Sequence, residues 1–185
     1  MFDMMIDLET LGRKAGCVVL SIGAVLFDPR GNGYGEKFYY NIDRLSCQKY
    51  GLIEEPGTVS WWSKQSLQAK HALTVNPAPL ENVVYNLNEF FHRNNVVKIW
   101  CQGAAFDVPI ISALYDKLQI QTPWEFWNVR DTRTLYDACN FDPYTVKRQG
   151  TYHNAVDDCI HQILCVQTAI NQRGKIIDQS SDRIQ

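Results

Sequence analysis

Asp7 and Glu9 are two carboxylates spaced two apart at the end of an apolar run that begins almost at the first residue. Residues i and i+2 of a strand share a face, so these side chains would stand about 6–7 Å apart. Like charges at that distance repel. A hard divalent cation takes oxygen ligands and removes the repulsion; the alternative is a strand that runs into an exposed acidic turn. Two further places offer carboxylates at the ends of regular elements. Asp107 follows the small residues Gly103-Ala104-Ala105 at a helix start, and His153 precedes Asp157 and Asp158 on the last helix. Four carboxylates suit a two-metal site for phosphoryl transfer, with ions about 3.5–4 Å apart. A histidine beside them suits a general base, its ordinary pKa lying at about 6.5. Each residue also has a plainer reading: Asp107 as a helix cap, His153 as an exposed loop residue, Asp158 as a surface charge on an amphipathic helix.

Several elements must bring these residues together. Phe2–Leu8 is almost continuously apolar, as a central strand buried on both faces would be. The run 17–27 and the segment Lys37–Ile42, separated by the turn formers of Asp28–Gly33, predict two more strands and an antiparallel meander. Two short helices meet around Ser66, and a longer one opens at Pro79 with Val83, Val84, Leu87, Phe90 and Phe91 as its stripe. A fourth strand, Val96–Cys101, leads to a helix over 108–118. Trp124–Arg130 reads as a short aromatic segment before a helix that starts at Asp131, and Pro143–Gly150 reads as a loop. On the helix His153–Ile170, Ala155, Cys159, Ile163, Val166 and Ile170 form the core stripe. Asp158 falls roughly 100° from its centre, where a cleft is lined, and Asp157 roughly 160°, toward water. Strand ends and helix starts form the ligand-binding rim of such a sheet.

With 185 residues and 45% hydrophobic content, the chain reads as one α/β domain over 1–174, with a mixed sheet flanked by helices and a loose tail over 175–185. Its net charge of −2 offers no broad basic face for gripping duplex phosphates, so a polyanion must be held locally. The six cysteines show no zinc-ligand spacing and read as reduced core thiols of a cytoplasmic protein. No apolar run approaches a membrane span.

Asp7-Leu8-Glu9-Thr10, Phe106-Asp107 and His153 followed five residues on by Asp158 stand in the order found in the DEDDh exonucleases, which the chain resembles over essentially its whole length. The segments 60–66 and 125–134 are similar to the phage-type branch of that family, represented by the T-even phage exonuclease A. The resemblance implies a ribonuclease-H-like fold and two Mg²⁺ or Mn²⁺ ions on Asp7, Glu9, Asp107 and Asp158. It makes His153 the base, and its spacing favours Asp158 over Asp157. It further implies that Thr10 meets the terminal nucleotide and Leu11 wedges against its base. Trp61, Trp62 and Phe106 are stacking candidates, the tryptophans alternatively core. Asp131 reads as a helix cap, and Arg133 as a contact to phosphate or to an acid. Gly103 stands where the family often has Asn, leaving a polar substrate contact absent or supplied elsewhere. The expected activity is 3′–5′ exonucleolytic release of nucleoside 5′-monophosphates from the 3′ end of single-stranded DNA. The alternatives are short RNA as substrate or a non-catalytic nucleic-acid-binding accessory subunit.

Overall fold

The computed structural model describes residues 2–181. β1 (Asp3–Thr10), β2 (Val19–Phe27) and β3 (Tyr34–Asn41) form the antiparallel meander. β4 (Ile99–Cys101) and β5 (Val129–Asp131) join in parallel on the far side of β1, giving the order β3-β2-β1-β4-β5. Among the described residues seven α-helices follow the meander or interrupt the rest: α1 (Arg44–Lys49), α2 (Pro56–Ser63), α3 (Leu67–Ala72), α4 (Leu80–Arg93), α5 (Asp107–Lys117), α6 (Thr132–Cys139) and α7 (Ala155–Ser181).

β1 is central, and its two faces serve different ends. Met4, Ile6 and Leu8 bury into a core shared with α4 and α5, while Met5 joins a second core with Tyr136 of α6 and Cys159, Ile163 and Val166 of α7. Each such side chain stabilises the fold by about 1.5–3 kcal/mol when fully buried. By strand alternation Asp7 and Glu9 share Met5's face, so both point toward α7. α7 approaches closely because β2 carries Gly23 opposite Asp7. A Cβ at Gly23 would lie 2.4 Å from the Ala155 carbonyl carbon, nearer than any side chain tolerates. The Cys159 thiol then donates to the Gly23 carbonyl at 3.5 Å.

Two elements correct the sequence reading. Trp124–Arg130 holds a single 3₁₀ turn (Phe126–Asn128) and then β5, a fifth strand of three residues. The stretch after β3 contains α1, capped by Asp43, whose carboxylate accepts the Leu45 and Ser46 N–H groups. α7 is traced to Ser181, and the part of the expected loose tail at 182–185 lies outside the described residues. Among the described residues no helix is long and apolar enough to cross a membrane.

Candidate active site

The C-terminal end of β1 delivers Asp7 and Glu9 to the start of α7. There Asp7, Glu9 and Asp158 each offer a carboxylate oxygen within 4.8 Å of the others. Gln162, one turn further along α7, donates its Nε2 to Asp7 Oδ1 at 2.8 Å. Asp107 opens α5 from the loop that leaves β4, only 4% exposed; the Asp7 charge acts on it, and its own charge acts on Glu9. All of these are hard oxygen donors, the set that magnesium and manganese take.

Electrostatics show how crowded this charge is. Burial pushes the Asp7 carboxyl up to about 7, although Gln162 and Arg148 pull the other way. Glu9 is pushed up to about 9, first by burial and then by the neighbouring charges of Asp7 and Asp107. Asp107 is raised well above the usual carboxylate range by burial and by Asp7. Carboxyls held this far from their ordinary values either keep protons or share a cation, and a divalent ion fits the donors that converge here.

His153 precedes α7 with φ +60°, in the left-handed region that a non-glycine residue seldom enters. Its ring lies 4.9 Å from that of Trp61 and 6.0 Å from that of Trp62. Burial and then the Arg148 charge lower its pKa below the ordinary 6.5, favouring the neutral ring that can accept a proton. Asn154 Oδ1 caps the helix behind it, accepting the Val156 and Asp157 N–H groups at 3.2 Å. Asp157, which its helical phase turns toward water, is half-buried. The loop folds back over it, and its Oδ2 accepts the Thr151 N–H at 2.8 Å, pinning the segment that carries His153.

Beside the carboxylates opens a cavity of about 480 Å³, within the range of small-ligand sites. Glu9, Thr10, Arg13, Trp61, Trp62 and Phe106 are among the residues lining it. Trp61 is 42% exposed there, whereas Trp62 is buried and donates its indole N–H to the Thr10 carbonyl at 2.9 Å, bracing the end of β1. The Thr10 hydroxyl is engaged internally, donating to the Gly12 carbonyl. Leu11 is buried and lines a separate apolar cavity with Leu20, Ile42 and Val59. Arg133 is exposed at the start of α6, its guanidinium 2.7 Å from where a Gly103 Cβ would stand. Gly103 has φ +119°, so that space is open to the arginine only because no side chain fills it. Asp131 caps α6 through the Thr134 N–H and also accepts the Ala104 N–H, tying β5 to the loop before Asp107.

Sequence reasoning missed Arg148 and Gln162. Arg148 forms an ion pair with Asp158 and lies over the Tyr152 ring at 4.2 Å. Gln162 lies four residues after Asp158 on α7, one turn on, and that spacing was the available signal.

A five-stranded mixed sheet with carboxylates gathered at the end of its central strand defines a ribonuclease-H-like nuclease domain of the DEDDh class. The model of the 3′-5′ exoribonuclease Rv2179c-like domain matches residues 2–170, and the chain belongs to that family. It is also similar to the exodeoxyribonuclease of Enterobacteria phage T4, 26% identical over an alignment 216 positions long, gaps included, that covers 98% of this chain and 95% of the phage protein. Among solved structures, exonuclease I superposes with a TM-score of 0.70 at 14% identity, over 96% of this chain. The chain spans only 43% of exonuclease I. The nuclease domain of 3′hExo, a DEDDh family member bound to rAMP, superposes with a TM-score of 0.56 at 8% identity, covering 92% of this chain and 93% of that one. The protein is a 3′–5′ exonuclease acting on nucleic acid, and its class implies dependence on divalent metal.

Proposed function

We propose that the protein removes nucleoside 5′-monophosphates from the 3′ end of single-stranded DNA with two Mg²⁺ or Mn²⁺ ions. The observation that carries this reading is the convergence of Asp7, Glu9 and Asp158 on one point, flanked by buried Asp107. These four residues would hold the ions. When bound, the ions supply positive charge that orients the attacking water and stabilises the leaving 3′ oxygen. Neutral His153 takes the proton from that water as it attacks the terminal phosphodiester. Exposed Trp61 and half-buried Phe106 offer faces for the terminal base, and stacking contributes about 1–3 kcal/mol per base without reading sequence. Thr10 shapes the end of β1 against the last nucleotide, with buried Leu11 packed behind it. Arg133, in the space left by Gly103, meets a backbone phosphate where the wider family uses an amide. Six free cysteines suit a reducing cytoplasm.

DNA is favoured by the similarity to the phage exodeoxyribonuclease. RNA is the second reading, because the family is described as exoribonucleolytic and the 3′hExo structure holds rAMP. Matched 5′-labelled DNA and RNA strands, incubated with magnesium, separate the two. The expected result is a ladder shortening from the 3′ end, faster on DNA, abolished by chelator and reduced about a thousandfold by Asp107→Ala. A faster RNA ladder would transfer the activity to RNA, and full activity in Asp107→Ala would defeat the metal-site reading.

A further inference from the structure

Arg148 is a cation seated among the carboxylates. It reaches in from the loop before α7, with its side chain 16% exposed, and pairs with Asp158 Oδ1. The exposed Tyr152 ring supports the guanidinium from one side. Its Nε is buried without a hydrogen-bond partner among the described residues, a donor still open to a second acceptor. Its positive charge also reaches Asp7, Glu9 and His153.

A guanidinium and a divalent cation on one carboxylate repel each other, so the two compete for Asp158. A phosphodiester relieves the competition, because planar guanidinium binds phosphate oxygens through paired N–H groups. We propose that Arg148 couples substrate binding to metal loading: it holds Asp158 until a phosphate of the bound strand takes the guanidinium, which leaves that carboxylate to the metal. The proposal rests on the metal-site reading above. Coupling of this kind is reciprocal, so the strand tightens metal binding and the metal tightens strand binding by the same factor. Tyr152 serves as the platform on which the guanidinium turns.

Manganese titration followed by the spin-resonance signal of free ion tests this directly. Wild type, Arg148→Gln and Tyr152→Ala are titrated with and without a single-stranded oligodeoxynucleotide made nuclease-resistant by phosphorothioate linkages. Without the strand, Arg148→Gln should bind manganese about tenfold more tightly than wild type, within the usual range of coupling between sites. With the strand, the difference should shrink, since wild type gains and the variant gains less. Tyr152→Ala should shift in the same direction by a smaller factor, and it carries the test if circular dichroism shows Arg148→Gln unfolded. Equal or weaker manganese binding in Arg148→Gln, or an undiminished effect of the strand, overturns the proposal while leaving the metal site intact. Failure of wild type to bind manganese overturns both.

Discussion

A histidine held at φ +60° spends free energy on its position, of the order of 1 kcal/mol or more, and the surrounding contacts hold it there. For His153 those contacts are the Trp61 and Trp62 rings on one side and the loop pinned by Asp157 on the other. Backbone placement and base chemistry can be separated by substitution. Asparagine tolerates the left-handed region, so His153→Asn keeps the local chain path and removes the proton acceptor. It should lower kcat by about 10²–10⁴-fold, with unchanged manganese affinity. Rapid quench of single turnovers on a labelled strand measures this, and a variant within threefold of wild type would remove His153 from the base role. Asp157 belongs to the same argument. It sits next to the ligand in sequence, yet its carboxylate is spent on the Thr151 N–H.

The site is only as good as the docking of α7 on the sheet. Gly23 controls that docking, since a methyl group there meets the Ala155 backbone, which cannot yield as a side-chain tip can. Gly23→Ala should cost about 1–3 kcal/mol of stability, the usual penalty for overpacking, and displace Asp158 from Asp7 and Glu9. Urea unfolding would report the first effect and manganese affinity the second; an unchanged midpoint would mean that α7 shifts freely. The elements that carry the site were legible for physical reasons. β1 is apolar on both faces, α4 repeats at helical spacing, and the α7 stripe of Ala155, Cys159, Ile163 and Val166 is buried as its phase requires, with Ile170 partly buried at its end. β5 has three residues and no period to detect, and it forms because β4 offers an open parallel edge. The partial cover over Asp157 was not legible, because helical phase alone ignores the chain that leads into the helix. The Arg148–Asp158 pair is a contact between a polar loop and a helix, set by the turn through Tyr152 and His153, and no spacing rule anticipates it.

At the scale of the whole molecule, the buried carboxyls make stability depend on pH in an unusual direction. In the unfolded chain Asp7 and Glu9 ionise near their ordinary 3.8 and 4.5, whereas in the fold they do so at about 7 and about 9. Between these values the folded chain binds more protons than the unfolded one, so stability falls as pH rises. The contribution is complete below pH ~4 and is lost as pH passes through about 7 for Asp7 and about 9 for Glu9. Asp107 acts in the same sense. With chelator present, Tm should therefore decline steadily from pH 5 to pH 9. Magnesium binds the ionised carboxylates of the folded chain, so its effect should grow over the same interval. At a hundred times its Kd it adds about 2.7 kcal/mol, which for a domain of this length raises Tm by roughly 5–10 °C. Scanning calorimetry at five pH values, with chelator or with magnesium, measures both curves. Asp7→Asn should flatten the first and nearly abolish the gap between them, because the substitution removes one titrating group and one metal ligand together. A chelated Tm that rises toward pH 9 would mean that these carboxyls ionise freely in the fold, and the crowding of charge that calls for a divalent cation would be gone with it.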